Sequence, residues 1–324
     1  FDDTLLRVIE TDAAGNVIAP NVTFQFDRHP TYDAHTNAQG ILLFLLPGVT
    51  PAHTTRHFAL VIEENAVGRG PAFVQVSMAQ DEGQECFQIA TLNGTYLYQL
   101  RAAGLSSLLD KDGNDWISFH PWGGSDGKYR GIPNLGLTEG GFHPGFFNCN
   151  SVIMNHGPIR VKVFSETNDH LWAGSWDFYP TFARLTVLKV ASPYWFLYEG
   201  TPGGKLDLEG GYIVRSDGRR TSLAERWDEP LPCPRWLYFG SGAMARVIYF
   251  VHHTNDEVMD SYWPMQGNMT VFGFGRRNPN RYLTRVPAQF TIGLAESGDY
   301  AKASSVINSA TREVEIVIGQ PEVI

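Results

Sequence analysis

Long apolar runs and basic tracts are both missing from this 324-residue sequence. No apolar run reaches about 18 residues, so the sequence predicts no transmembrane helix. Acidic residues outnumber lysine and arginine by 34 to 25, and no segment is rich in basic residues. Because nucleic acids and anionic membranes attract basic patches, we expect neither as a partner.

Cysteine is also scarce, and the three cysteines (Cys86, Cys149 and Cys233) are too widely spaced to form a metal or redox motif. One disulfide at most is possible. His252 and His253 precede Asp256, but neighbouring residues of a strand point to opposite faces, so both histidines do not bind one ion easily. The sequence therefore predicts no metal and no cofactor.

Glycine (33), proline (19) and aromatic residues (13%) are abundant, which is typical of short strands joined by turns. Apolar residues alternate with polar ones through most of the chain, and we expect no helix of 12 or more residues. We predict an all-β protein with a small β-sandwich module at 1–77 and a large antiparallel β-sandwich at 78–324. The last predicted strand is 312–318.

Four segments carry a resemblance to a known family: 104–116, 129–134 (Tyr-Arg-Gly-Ile-Pro-Asn), 155–160 (Asn-His-Gly-Pro-Ile-Arg) and 269–276. In this order they resemble the aldose-epimerase branch of the galactose mutarotase-like superfamily. The resemblance implies a β-supersandwich that holds sugars, and it implies that His156 is the catalytic histidine.

The fourth segment departs from the family pattern. Its strand runs into Gly273-Phe274-Gly275, where the family has a catalytic glutamate. Mutarotation needs one group that takes the proton of the anomeric hydroxyl and another that donates to the ring oxygen. Without the glutamate this pair is incomplete, so an aldose epimerase becomes an alternative rather than the leading hypothesis.

Supersandwich sugar enzymes without that glutamate are often polysaccharide lyases, which cleave uronate-containing glycans by β-elimination. This reaction needs a cation or amide on the uronate carboxylate, a base for the C5 proton and an acid for the leaving oxygen. Arg130 and Asn134 suit the first role, since a guanidinium fork binds a carboxylate well. His143 and His156 are candidate bases, and Tyr129 or Tyr194 is a candidate acid.

A polysaccharide lyase is therefore the leading functional prediction, with a polysaccharide or oligosaccharide as partner and a secreted or periplasmic location. The predicted catalytic residues are His156, His143, Tyr129 and Arg130. The predicted substrate-binding residues are Asn134, Arg160, Trp122, Trp263, Glu199 and Tyr194.

Two further alternatives remain open. A glycoside hydrolase needs two carboxylates, and Glu199, Asp177, and Asp256 or Glu257 are candidates. Glu199 stands out because it ends a very apolar strand at 194–199 and precedes a glycine-rich turn. A non-catalytic sugar-binding protein would use the aromatic residues alone.

Overall fold

The structure is a computed structural model that describes residues 1–65, 70–121, 130–136, 141–312 and 314–319. Strands and turns make up most of these residues. The strands are β1 (Leu6–Thr11), β2 (Val17–Val22), β3 (Phe24–Arg28), β4 (Gly40–Phe44), β5 (His57–Ile62), β6 (Gln75–Asp81), β7 (Gln84–Ala90), β8 (Thr95–Gln99), β9 (Gly104–Leu109), β10 (Cys149–His156), β11 (Val161–Thr167), β12 (Ala173–Phe178), β13 (Phe182–Lys189), β14 (Phe196–Gly200), β15 (Tyr212–Arg215), β16 (Arg220–Ser222), β17 (Trp227–Glu229), β18 (Trp236–Gly240), β19 (Val247–His252), β20 (Asp260–Met265), β21 (Met269–Phe274), β22 (Arg276–Arg277), β23 (Asn280–Arg281) and β24 (Ala288–Ala295). The helix is α1 (Tyr300–Thr311), and single 3-10 turns occupy Asp3–Leu5 and Pro202–Gly204.

The N-terminal part forms a small unit with its own core. Its strands pair as a three-stranded sheet, β2-β1-β5, and as a β3-β4 hairpin. Leu6, Val8, Val22, Phe24 and Phe26 fill the space between them. The next strand, β6, belongs to the larger part of the chain.

One layer of the larger part is a nine-stranded antiparallel sheet with the order β10-β11-β12-β13-β24-β19-β18-β15-β16. Its central strands are apolar at almost every position because both of their faces are covered. On β19, Ile248 and Phe250 belong to the main core. Val247, Tyr249 and Val251 belong to a second cluster on the opposite face, together with residues of α1.

The prediction that the chain has no helix of 12 or more residues is wrong, because α1 has 12 residues. The Asp299 side chain caps it by accepting from the Lys302 N–H, and Ala303 and Ile307 pack on the outer face of the large sheet. Its apolar positions are few and small, so the helical period is weak. The strand predicted at 312–318 is also wrong, because the described residues of that range lie outside any strand. No helix in the described part of the chain is long and apolar enough to cross a membrane.

The second layer consists of two four-stranded antiparallel sheets, β6-β7-β8-β9 and β14-β21-β20-β17. Residues 131 and 132 connect them, since Ile132 bridges to Leu105 on β9 and Gly131 bridges to Glu199 on β14. One core cluster fills the space between the two layers. The prediction of an all-β antiparallel sandwich is confirmed.

Candidate active site

Backbone hydrogen bonds close the seam between the two halves of the second layer. The Gly131 N–H donates to the Glu199 carbonyl at 2.7 Å, and the Glu199 N–H donates back at 3.0 Å. A side chain at Gly131 or at Gly104 would collide with Pro144. These two glycines therefore let the loop that carries His143 lie directly against the seam.

Glu199 and His143 meet at this seam. The Oε2 atom of Glu199 lies 3.1 Å from the Nε2 atom of His143. His143 is fully buried, and Glu199 is 9% exposed. The backbone fixes the histidine, because the His143 N–H donates to the Ala102 carbonyl at 3.0 Å. Two titratable side chains are thus in contact at a site that has almost no access to water.

Burial sets the charge of both groups. It raises the pKa of Glu199 to about 8, against the opposing effects of the Arg276 charge and a hydrogen bond from Asn134. It lowers the pKa of His143 to about 3, although a hydrogen bond to the Pro133 carbonyl favours the protonated ring. At neutral pH the pair therefore consists of a protonated carboxyl group and a neutral imidazole.

Glu199 projects from the face of the β14-β21-β20-β17 sheet that points away from the main core. Strand register gives this result, because Tyr198, one residue earlier, belongs to the main core. Leu197 and Val271 are buried neighbours on the face of Glu199. We call this face, with Trp195, Leu197, Glu199, Val271 and Trp263, the site face.

Arg276 lies on the site face, and its charge opposes the rise in the pKa of Glu199. Its Nη1 donates to the Ser261 hydroxyl at 2.8 Å, and its guanidinium carbon lies 5.7 Å from the centre of the Trp195 ring. Burial lowers the pKa of Arg276, while the charge of Glu199 opposes this effect. Arg276 forms no ion pair with any residue that the structure describes, and its Nε has no hydrogen-bond partner there. An arginine still carries its charge in such a place, so the site face has a cation that lacks an anion within the described part of the chain.

Asn134 adds a hydrogen-bonding group beside the acid. Its side chain hydrogen-bonds to Glu199, and it is 2% exposed. Its Oδ1 atom is buried and has no hydrogen-bond partner within the described ranges. Buried polar atoms in proteins are nearly always paired, so unpaired ones beside a titratable pair are typical of a ligand site.

Sequence reasoning named His143, Asn134, Glu199 and Trp263 but did not connect them, and it missed Arg276. Arg276 is the last residue of the fourth family-like segment. The side chain of Arg276 lies over Gly273, where the sequence lacks the expected glutamate. The signal in the sequence that pointed to Arg276 is its position directly after an apolar strand.

Arg130 lies at the same seam but has no contact with Glu199 among those that the structure gives. It is 8% exposed and reaches the carbonyls of Ser118 and Asn268 over long distances of 3.4 and 3.5 Å. Burial lowers its pKa, and the charges of Tyr198 and Asp115 oppose this effect. Its role as a carboxylate ligand stays a prediction.

His156 and Arg160 are not brought to the seam. His156 is exposed at the end of β10, the edge strand of the nine-stranded sheet, and lines a cavity of about 490 Å³ with residues such as Gln75 and Pro158. Arg160 is buried in ion pairs with Asp27 of the N-terminal unit and, at 3.3 Å, with Asp177. The expectation that His156 and Arg130 face one cleft does not hold. Arg160 instead connects two parts of the fold.

The other predicted residues have different positions. Tyr194 is a core residue whose hydroxyl donates to the Arg285 carbonyl at 2.8 Å, which leaves it unsuited to proton transfer. Tyr129 and Trp122 lie outside the described residues. Asp256 is ion-paired with the buried Arg235. No group of three potential metal ligands occurs in the described segments, and the three cysteines are free.

No protein-family model and no curated protein matches the chain. Solved structures that match include HI1317, at 12% identity and a TM-score of 0.47, covering 68% of this chain and 95% of that one. A putative mutarotase (YeaD) from Salmonella typhimurium matches at 13% identity and a TM-score of 0.47, covering 68% and 94%. A galactose mutarotase related enzyme from Lactobacillus acidophilus matches at 10% identity and a TM-score of 0.38, covering 69% and 99%. Two of these three descriptions name mutarotases.

Proposed function

We propose that the chain is a carbohydrate-active enzyme in which Glu199 is the general acid. The observation that carries the proposal is the contact between a buried, protonated Glu199 and a fully buried, neutral His143. A carboxyl group that keeps its proton at neutral pH can donate it to a sugar oxygen. His143 has no access to a substrate, so it is a positioning residue that orients the carboxyl group.

The substrate carries a negative charge in this proposal. Arg276 is a buried cation without a carboxylate partner among the described residues, and it lies on the same face as Glu199. A sugar carboxylate would pair with this guanidinium. The unpaired Oδ1 of Asn134 would accept from a sugar hydroxyl. These features favour an acidic sugar over a neutral one.

The reaction that uses these groups best is β-elimination on a uronate-containing glycan. Arg276 neutralises the uronate carboxylate, which acidifies the C5–H bond. A base takes the C5 proton, the electron pair forms the C4–C5 double bond, and the C4–O bond breaks while Glu199 gives its proton to the leaving oxygen. The base is not assigned to a described residue, and Tyr129, which the sequence analysis named as a candidate acid, lies outside the described part of the chain.

Hydrolysis with two carboxylates has less support. Asp177 belongs to β12 of the other layer, where it is paired with Arg160. Asp228 is on the site face by strand register, but it lies three strands from Glu199, about 14 Å away. Carboxylates that act together in glycoside hydrolysis are about 5 to 10 Å apart.

An aldose epimerase is the second candidate, and one observation favours it. The carboxyl group that the fourth segment lacks is supplied by β14: Glu199 lies opposite Val271 of β21 and on the same face. Mutarotation also needs a general acid at the ring oxygen. The test must therefore separate elimination from anomeric exchange. A secreted or periplasmic location remains a prediction.

The purified protein and its Glu199→Gln variant should be incubated with a panel of uronate-containing and neutral glycans. Ultraviolet absorbance of the unsaturated uronate follows elimination, reducing-end release without that absorbance follows hydrolysis, and optical rotation of free sugars follows mutarotation. We expect absorbance to rise with a uronate glycan for the parent chain only. Full activity of Glu199→Gln, or no activity on any acidic sugar, would contradict the proposal.

A further inference from the structure

Glu199 and Trp263 belong to one row of side chains on the site face. Val271 on β21 lies directly opposite Glu199 on β14 and directly opposite Trp263 on β20. Residues opposite each other in a sheet point to the same face, so all three project together. Two strand spacings separate Glu199 from Trp263, which is about 10 Å.

An arginine accompanies the tryptophan at each end of this face. The guanidinium carbon of Arg276 lies 5.7 Å from the centre of the Trp195 ring, and that of Arg226 lies 5.8 Å from the centre of the Trp263 ring. Trp263 is half-buried, and the side chain of Arg226 is 61% exposed. The Arg226 charge is only loosely balanced by Asp228, at 3.7 Å.

We propose that Trp263 and Arg226 form a second sugar subsite, which binds an acidic residue of the same glycan away from the reacting unit. This inference rests on the proposed function. An aromatic face stacks on the apolar face of a sugar ring, and a guanidinium binds its carboxylate. Trp195 and Arg276 form the same kind of pair, an aromatic ring with a guanidinium group, beside Glu199.

The distance determines the class of substrate. One sugar ring does not span about 10 Å, so a monosaccharide held at Glu199 leaves Trp263 uncovered. An oligosaccharide of acidic sugars is long enough to reach both positions. The enzyme therefore acts on an oligosaccharide or polysaccharide, and its efficiency rises with substrate length until the second subsite is filled.

The test uses one homopolymeric uronate series, from disaccharide to hexasaccharide, and the same series with reduced, neutral carboxyl groups. Calorimetric affinity and kcat/KM are measured for the parent chain and for Trp263→Ala, Trp263→Phe and Arg226→Gln. We expect Trp263→Ala to lower affinity and kcat/KM about fivefold to tenfold for the hexasaccharide and to leave the disaccharide unchanged. Trp263→Phe should retain most of the affinity. Arg226→Gln should weaken the preference for acidic over reduced hexasaccharide and leave the preference for the acidic disaccharide, which Arg276 binds, unchanged.

The matched control is another exposed aromatic–arginine pair, Phe147 and Arg101, whose guanidinium carbon lies 5.3 Å from the ring centre. Phe147→Ala should change neither quantity. Equal loss for disaccharide and hexasaccharide, or no binding of any member of the series, would overturn the subsite. Length-dependent binding that needs Trp263 but gives no turnover supports the subsite and counts against the proposed reaction instead.

Discussion

Nε2 of His143 lies 3.1 Å from Oε2 of Glu199, and the histidine has no access to solvent. A buried imidazole and a buried carboxyl group in contact share one proton at neutral pH, and burial keeps that proton on Glu199. The His143 loop reaches this position because Gly131 and Gly104 leave room for Pro144. The backbone of the loop thus decides the charge of the candidate acid.

Replacing Glu199 should separate activity from stability. Glu199→Gln keeps the shape of the side chain and its hydrogen-bonding capacity, but it has no acidic proton. We expect turnover to fall by about 10²-fold to 10⁴-fold, the usual range for loss of a general acid. The melting temperature should be unchanged or higher, because a buried titratable group is removed. Asp228→Asn, on the same face, is the control and should retain turnover.

Replacing His143 should move the pH dependence of the reaction. The rate should fall as pH rises through about 8, because the protonated form of Glu199 is the active one. His143→Leu replaces the ring whose Nε2 lies 3.1 Å from the Glu199 carboxyl group with an apolar side chain, so the midpoint should move away from its parent value. His143→Gln keeps a polar group at this position and should restore part of the shift. A lower melting temperature with an unchanged midpoint would mean that His143 only fills space.

The free energy of unfolding should depend on pH through Glu199. Its pKa is about 8 in the folded chain against an ordinary value of 4.5, so between these values the folded chain holds a proton that the unfolded chain has released. The contribution of Glu199 to stability is therefore full below about 4.5 and is lost as pH rises through about 8, by up to about 1.4 kcal/mol per pH unit. Denaturant titrations of the parent chain and Glu199→Gln should show the variant gaining in relative stability over this interval. A constant difference would contradict the raised pKa.

Replacing Arg276 should raise the stability of the protein and lower its activity on acidic glycans. Arg276→Met removes a buried cation that has no ionic partner among the residues the structure describes, and it keeps the apolar stem over Gly273, so we expect a higher melting temperature. The kcat/KM for an acidic glycan should fall at least tenfold. The exposed neighbour provides the control, since Arg277→Met should change neither quantity. A large loss of stability in Arg276→Met would show that the arginine is structural.

Replacing Arg160 should lower the stability of the protein and leave substrate binding unchanged. Its removal leaves Asp27 and Asp177 as buried carboxylates without their shared cation. We expect Arg160→Met to lower the free energy of unfolding by about 3 kcal/mol or more, and to leave KM unchanged in the folded fraction. Chemical denaturation and steady-state kinetics test both statements. An unchanged stability together with a raised KM would contradict this role and support the predicted substrate-binding role of Arg160.

The sequence was sufficient for the fold because alternation of apolar residues is a local property. It failed at α1, where Ala303 and Ile307 are the buried residues of a helix rich in serine and alanine. For the site, the residue types in the loops predicted His143 and Asn134, and the end of an apolar strand predicted Glu199. Their pairing depends on the bridge between Gly131 and Glu199, which joins residues far apart in sequence. The same is true of Arg276, whose position next to Glu199 follows from the β14-β21 register.

The protonation state of Glu199 is the central claim, and infrared difference spectroscopy measures it directly. The carbonyl band of a protonated carboxyl group should persist at neutral pH, disappear with a midpoint of about 8, and be absent from Glu199→Gln. Loss of that band near the ordinary glutamate value of 4.5 would contradict the account.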